Sequence, residues 1–289
     1  MKVLIFGAGG IVGQHMYIQK PNEVEAIFCR RESSDFWIGF DYEKDDIFSF
    51  LNKHNPDIII NLAGENRVDI VEKDPGAYFN VNVKMPVDIC QWNKINNKYF
   101  IHCSTQGVFD GESSPYSPMD IPKPITEYGK QKYLSEKMVL SYENTEVDRL
   151  TFVIGIRPFQ NIGRKNPLEE MIEKENQLQV NDRFFSPLFA EEAADILWER
   201  ALGNNRNSDR IVHLGTPIKC SRYTIASDLK YNSHGNIKAS IQPVSHEHFP
   251  GIAPRPKNTT WEFGKCLYKN RYDDALLNAY IQWNRMNGI

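Results

Sequence analysis

Residues 1–13 read MKVLIFGAGGIVG and join a short apolar run, Lys2 to Phe6, to a glycine-rich loop. A helical pattern follows the loop, so the glycines lie between a predicted strand and a predicted helix, which is the context that makes such a loop a phosphate site. Gly7 permits a tight turn, Gly10 lets the backbone approach a pyrophosphate, and Gly13 lets the helix pack closely on the sheet. The stretch therefore predicts a dinucleotide-binding fold.

Strands and helices alternate through the first half of the chain. The pattern predicts further strands at residues 24–29, 57–62, 99–104, 150–156 and 210–214, and helices at 48–53, 75–95, 127–142 and 272–283. This order indicates an α/β protein with a doubly wound parallel (Rossmann) sheet and right-handed crossovers. We expect residues 1–157 to form the dinucleotide-binding domain, with about 188–216 and the last helix returning to it. Residues 158–289 are expected to form mostly a smaller substrate-binding lobe.

The composition narrows the class of protein. A net charge of −3 does not suit a nucleic-acid-binding surface. The longest apolar stretch is far below the roughly 20 residues of a membrane span, and the N-terminal run is too short for a signal peptide. Five scattered cysteines fit a reducing compartment, so we expect a cytoplasmic protein without disulfides. His246 and His248 lack an evident third ligand, and no metal site is predicted.

A basic pair closes the predicted second strand. Arg30 and Arg31 stand where a NAD site places an acidic group for the ribose hydroxyls, and no acid precedes Glu32. Arginine suits a 2′-phosphate, so the pair indicates NADP(H) as the preferred cofactor, with NAD(H) possible. The alternative is a solvated basic pair.

Tyr128 and Lys132 are four residues apart on a predicted helix and therefore share one face. An ammonium beside a phenol favours the phenolate, which lowers a pKa that is otherwise about 10. Such a tyrosine can exchange a proton with a reacting oxygen near neutral pH. The hydroxyl of Thr105 or Ser104, at the end of the predicted fifth strand, is placed to hold the same oxygen.

These motifs, in this order, resemble the extended short-chain dehydrogenase/reductases, and in detail the dTDP-4-dehydrorhamnose reductase family. Five stretches carry the resemblance: Asn61-Leu62-Ala63-Gly64, Val68-Asp69 with Glu72, Ser104 to Gly111 (STQGVFDG), Ser186-Pro187, and Arg255 to Thr259 (RPKNT). The likeness spans nearly the whole chain. One departure is the pair Gln106-Gly107, where the family motif has Asp-Tyr.

The resemblance implies roles for individual residues. The implied catalytic residues are Thr105, Tyr128 and Lys132, and Lys132 is also expected to bond the nicotinamide ribose, so that Tyr128 and Lys132 count among the cofactor contacts. The implied contacts to the cofactor are Gly7, Gly10, Ile11, Val12 and Gly13 at the pyrophosphate, Arg30, Arg31, Asp41 and Tyr42 at the adenosine, and Leu62, Ala63 and Gly64 along its length. The implied substrate contacts are Val108, Phe109, Asp110 and Arg255.

The resemblance also implies an activity: NADPH-dependent reduction of a keto group on a nucleotide-linked deoxysugar, for surface polysaccharide synthesis. The expected partners are the nucleotide sugar and, in a homodimer, a second copy of the chain. Two alternatives remain open at this stage. One is a nucleotide-sugar 4-epimerase, which needs the same Tyr/Lys pair and a tightly held cofactor. The other is a non-catalytic dinucleotide-binding regulatory subunit like the methionine adenosyltransferase β-subunit.

Overall fold

The structure, a computed structural model, describes residues 1–204 and 209–288. Its strands are β1 Lys2–Phe6, β2 Glu25–Arg30, β3 Ile38–Gly39, β4 Ile58–Asn61, β5 Tyr99–Thr105, β6 Thr145–Leu150, β7 Phe152–Ile154, β8 Asn176–Val180, β9 Phe184–Phe185, β10 Pro187–Phe189, β11 Ile211–Leu214, β12 Ser240–Val244, β13 Asn258–Thr259 and β14 Cys266–Leu267. Its α-helices are α1 Ile11–Ile18, α2 Ile47–His54, α3 Val68–Lys73, α4 Pro75–Phe79, α5 Met85–Asn96, α6 Glu127–Leu140, α7 Pro167–Glu173, α8 Ala190–Ala201, α9 Arg222–Asn232 and α10 Tyr272–Asn287. A π-helix, Asn80–Lys84, joins α4 to α5, and 3₁₀ turns occupy Gln106–Val108 and His246–His248.

Eight strands form one parallel sheet in the order β14-β11-β6-β5-β4-β1-β2-β3. This confirms the predicted doubly wound α/β fold. The strand order reverses between β1 and β4, and in such sheets a crevice opens there, beyond the carboxyl ends of the strands. The glycine loop after β1 and the loop after β4 both lie at this point.

Helices cover both faces of the sheet, which explains why β1 reads as a continuous apolar run. Val3 and Ile5 lie in the cluster that includes α1 and α8, whereas Leu4 and Phe6 lie in the cluster that includes α2 and α5. Leu188, helix α8 and Val212 and Leu214 of β11 also lie in the first of these clusters. The return of about residues 188–216 to the dinucleotide-binding domain stays a prediction.

A separate hydrophobic cluster forms the core of the C-terminal lobe. It joins Tyr272, Leu276 and Trp283 of α10 to Ile225 and Leu229 of α9. The last helix thus packs in the lobe and not in the clusters that flank the sheet, unlike the sequence expectation. Leu276, Tyr280 and Trp283 recur at helical spacing and are buried, but such an apolar stripe does not specify which partner it meets. The boundary at residue 157 stays a prediction.

The predicted strand at residues 150–156 was wrong in its bounds. The sheet strand is β6, which ends at Leu150, and the chain then leaves the sheet to pair β7 with β10. The sequence of β6 is TEVDRL, and its charged residues hid it from a search for apolar runs. All six are nevertheless buried, because Arg200 pairs with Glu146 and Asp148 at 2.9 Å each and Arg149 pairs with Glu136. Within the residues described above, no helix is long and apolar enough to cross a membrane.

The pair between Glu136 and Arg149 gives a test of this buried charge layer. Arg149 Nε and Nη2 donate to the two carboxylate oxygens at 3.0 and 2.8 Å, and both side chains are at most 2% exposed. Glu136→Gln should lower the free energy of unfolding by about 3–5 kcal/mol, because it leaves a buried guanidinium without its counter-charge. Glu25→Gln, which breaks the exposed pair with Lys2, is the control and should cost less than about 1 kcal/mol. Equal costs in chemical denaturation would contradict the assignment.

Candidate active site

A cleft of about 2560 Å³ lies between the carboxyl edge of the sheet and the C-terminal lobe. The segments that follow β1, β2, β4, β5 and β6 all reach it, because carboxyl ends of parallel strands share one edge. The predicted site residues that line it are Gly7, Gly10, Ile11, Val12, Gly13, Arg30, Arg31, Asp41, Tyr42, Leu62, Ala63, Gly64, Thr105, Tyr128, Lys132 and Arg255. The structure therefore brings together every predicted cofactor and catalytic residue.

The glycine loop has the geometry that its sequence predicts. Gly7 has φ +84°, and a Cβ there would stand 2.6 Å from the backbone carbon of Leu62. A Cβ on Gly13 would stand 2.6 Å from Ala8 Cα, so only glycine allows α1 to begin so close to the loop. In the part of the chain described, no side chain caps α1. The amides of its first turn are thus available to an anion at the cleft.

The adenosine end of the cleft is formed by Arg30 and Arg31. Among the described residues, no carboxylate lies within 4 Å of either guanidinium, so both charges are free to meet a ligand. Asp41 is instead paired with Lys44 at 3.1 Å, and that hydrogen bond lowers the pKa of the Asp41 carboxyl. The Tyr42 hydroxyl donates to Asp88 at 2.5 Å. Both Asp41 and Tyr42 line the cleft, but their polar groups already have protein partners.

The loop after β4 is anchored by a residue that the sequence analysis did not identify. Asn82 accepts a hydrogen bond from the amide of Glu65 at 2.9 Å and donates to Gln131 of α6 at 2.8 Å. It is 1% exposed and belongs to the π-helix, a rare element that is frequent at functional sites. No local pattern marks it, because its partners are 17 and 49 residues away.

Tyr128 and Thr105 meet at the centre of the cleft. Thr126 caps α6 by accepting from the amide of Gly129 at 2.9 Å, which fixes the turn that carries Tyr128. Thr105 Oγ1 accepts from the amide of Gly107 at 3.1 Å, so its hydroxyl hydrogen remains available to donate. Burial raises the pKa of Tyr128 to about 12; a hydrogen bond from Thr105 opposes this, and the charge of Glu65 adds to it. The expectation that Lys132 lowers this pKa is corrected: the phenol stays protonated at neutral pH.

The reason lies in where the amine of Lys132 is held. Lys132 Nζ donates to the carbonyl of Cys103 at 2.8 Å and lies 3.1 Å from Nε2 of His102, both on β5. Burial lowers the pKa of Lys132 to about 8. His102 is fully buried, as expected for a core histidine, and burial holds its pKa well below the usual value. Its contact with Lys132 was not foreseen. The amine lines the cleft, yet its bonds are to the strand.

Three of the predicted substrate contacts do not reach the cleft. Val108 and Phe109 are fully buried in a cluster with Tyr116 and Trp261, and the Phe109 and Tyr116 rings stack 4.1 Å apart. Asp110 accepts from the Tyr116 hydroxyl at 2.7 Å, which closes this turn. We therefore correct their assignment: this part of the motif builds the wall behind the site.

Arg255 lines the cleft as predicted, but it pairs with Asp69 of α3. Asp69 also accepts from the backbone amides of Ile252 and Ala253 at 3.0 Å each. This one carboxylate therefore fastens a loop of the lobe to the rim of the dinucleotide side.

Two further arginines on the lobe side of the cleft escaped the sequence analysis. Burial lowers the pKa of Arg183 to about 10, with the neighbouring charge of Arg255 acting in the same direction. Arg222 donates to Gln179 at 3.2 Å and lies 5.9 Å from the ring centre of Phe152. These residues come from segments far apart in sequence, so no motif could group them.

The similarity to known proteins extends over most of the chain. The family model described as "RmlD substrate binding domain" matches residues 1–270. The chain belongs to this family. A dTDP-4-dehydrorhamnose reductase from Burkholderia thailandensis is 30% identical over 282 residues, covering 90% of this chain and 89% of that protein.

Other similarities are narrower or more distant. Methionine adenosyltransferase 2 subunit beta from Danio rerio is 30% identical over 144 residues, 49% of this chain and 44% of that relative, so the match spans less than half of it. The crystal structure of a dTDP-4-dehydrorhamnose reductase from Bacillus anthracis, solved in complex with NADP, superposes with a TM-score of 0.82 over 97% of this chain and 99% of that one. At 22% identity, this likeness supports the RmlD-family fold.

The burial of Lys132 predicts a pH effect on stability. The amine holds its proton less tightly when folded, with a pKa of about 8, than when unfolded, where it is about 10.4. Between these values the unfolded state binds more protons, so this group makes the protein more stable as pH rises. The free energies of unfolding of the wild type and of Lys132→Met can be measured by chemical denaturation at pH 7 to 10. Above pH 8, the wild type should gain stability relative to the variant. If the difference in unfolding free energy between the two proteins does not change with pH, burial does not lower the pKa of Lys132.

Proposed function

We propose that this RmlD-family protein reduces a keto group on a nucleotide-linked deoxysugar with NADPH. The observation that supports this most is the meeting of Thr105 and Tyr128 in the crevice into which the glycine loop opens. The glycine loop, the free amides of α1 and the unpaired arginines fit a dinucleotide. When bound, NADPH supplies the hydride that reduces the carbonyl carbon.

The chain's own residues would supply the proton and hold the oxygen. The Tyr128 phenol, protonated at neutral pH, donates its proton to the carbonyl oxygen as that oxygen becomes an alkoxide. The Thr105 hydroxyl donates a hydrogen bond to the same oxygen. The phenolate that remains then takes a proton from water, while Lys132, charged below pH of about 8, stays bonded to the Cys103 carbonyl beside the site. Carbonyl, hydride and proton together give the alcohol.

The substitution Tyr128→Phe tests whether the phenol of Tyr128 donates the proton. We expect the variant to bind NADPH normally and to lose about a hundredfold or more in kcat, since it removes one preorganised donor. Tyr133→Phe, on the same helix but outside the cleft lining, is the matched control and should retain wild-type turnover. Turnover of Tyr128→Phe near that of the wild type, on a 4-keto-6-deoxysugar nucleotide, would rule out the role given to Tyr128.

The preference for NADPH is proposed from the basic pair after β2. A guanidinium without a carboxylate partner binds a 2′-phosphate through charge-assisted hydrogen bonds. Arg31→Ala should therefore raise the KM for NADPH by about tenfold while that for NADH changes little. Equal effects on the two cofactors, or a wild type that prefers NADH, would refute the assignment.

A non-catalytic role is the second candidate, favoured by the matches to methionine adenosyltransferase 2 subunit beta. Those matches cover about half of this chain, whereas the match to the Burkholderia reductase covers nine-tenths of it. A binding subunit has no need of a phenol paired with a hydroxyl in the cleft, so we rank it second. Co-purification with a synthetase, together with no turnover of any keto-sugar, would reverse the ranking. A 4-epimerase would be indicated by tightly bound NAD(H) and no net oxidation of NADPH.

We place the reaction in surface polysaccharide synthesis in the cytoplasm. The pathway is inferred from the relatives of this chain. One of them, the spore coat polysaccharide biosynthesis protein SpsK from Bacillus subtilis, is 26% identical over 263 residues. The cytoplasmic location is supported by five free cysteines, four of them buried. A homodimer stays a prediction.

A further inference from the structure

The side-chain amide of Gln106 is held beside the catalytic residues. Gln106 directly follows Thr105, begins the 3₁₀ turn and lines the cleft. Its carbonyl oxygen accepts a hydrogen bond from the hydroxyl of Thr151, the residue that follows β6. Among the residues that the structure describes, none forms a hydrogen bond with Gln106 Nε2. The acceptor end of the amide is therefore occupied, and its two N–H donors are left for a ligand.

The residue that follows Gln106 contributes no side chain to the cleft. Gly107 also lines the cleft, and a Cβ added there would stand 3.4 Å from Thr105 Oγ1 and 3.8 Å from the Tyr128 ring. Any side chain at this position would begin between the two groups that act on the reacting oxygen. Glycine leaves that room to the substrate.

We propose that Gln106 selects sugars in which the substituent beside the reacting keto group presents a carbonyl-type oxygen. This inference rests on the function proposed above and specifies its substrate. An amide NH₂ can only donate. A carbonyl-type oxygen only accepts and can take both of its N–H groups, whereas a hydroxyl brings a proton that needs a further acceptor. The room left by Gly107 suits a group larger than a hydroxyl. On a deoxysugar, an N-acylamino group presents this oxygen.

The test compares two nucleotide-linked 4-keto-6-deoxysugars that differ only in the substituent on the carbon next to the keto carbon: hydroxyl or acetamido. We expect the wild type to have a higher kcat/KM for the acetamido sugar than for the hydroxyl sugar. Gln106→Glu keeps an oxygen for Thr151 but replaces the NH₂ by an acceptor. It should reverse the preference, with a loss of about tenfold or more on the acetamido sugar.

Further variants separate recognition from folding. Gln106→Met removes the donor without adding an acceptor, and should abolish the preference without reversing it. Thr151→Val frees the amide and should weaken the preference for the acetamido sugar without reversing it. NADPH affinity and melting temperature identify any variant that is merely misfolded.

Two outcomes would overturn the inference. One is a wild type that prefers the hydroxyl sugar, and the other is an unchanged ranking in both Gln106→Glu and Gln106→Met. If the wild type oxidises NADPH with neither of the sugars, the proposed function fails and this inference fails with it. That result is distinct from a changed or unchanged ranking among active variants.

Discussion

The close packing of α6 on the end of β5 is the constraint on which the whole site depends. A Cβ on Gly129 would lie 2.2 Å from the carbonyl oxygen of Gly107, so only glycine permits this approach. Farther along the helix, Lys132 donates to the Cys103 carbonyl and Ser135 lies 3.0 Å from His102. These contacts fix both the distance and the rotation of the helix, and they thereby place Tyr128 against Thr105.

The same packing sets the protonation states of the site. Removing water from the phenol raises its pKa, and removing water from the amine lowers the pKa of Lys132. The carbonyl and imidazole of β5 replace part of the lost water around the ammonium. A phenol that keeps its proton is the state that a reductase needs before hydride arrives, because the proton must be given and not taken. Lys132, bonded to β5, fixes the position of the helix and does not lower the pKa of Tyr128.

The sheet and the cofactor side could be predicted because their signals are local. The apolar run of β1, the glycines after it and the spacing of Tyr128 and Lys132 each lie within a few residues. The strand β6 could not be predicted in this way. Its charged residues are buried because Glu136 and Arg200, which lie elsewhere in the chain, neutralise them. A motif also does not reveal which of its residues face a ligand. Phe109 belongs to a stretch shared with a family of enzymes, yet its ring supports the site from the core.

The residues on the lobe side of the cleft are even harder to predict from the sequence. Arg183 and Arg222 are brought to it by strands and a helix that pair only in three dimensions, and the bond between Thr151 and Gln106 spans 45 residues. Recognition of the proposed substrate is therefore the part of the proposed function that the sequence specifies least directly. The proton-transfer centre is the part that it specifies most directly, although the direction of the pKa shift of Tyr128 required the contacts of Lys132.

The protonation of Tyr128 is the point at which this account can be tested most directly. A pH titration of protein labelled with ¹³C at the tyrosine Cζ, with the resonance assigned by its loss in Tyr128→Phe, follows this phenol by itself. The account predicts that Tyr128 stays protonated until the pH approaches 12. Ionisation below the usual tyrosine value of about 10 would show that the amine of Lys132, and not burial, controls the phenol, and would contradict it.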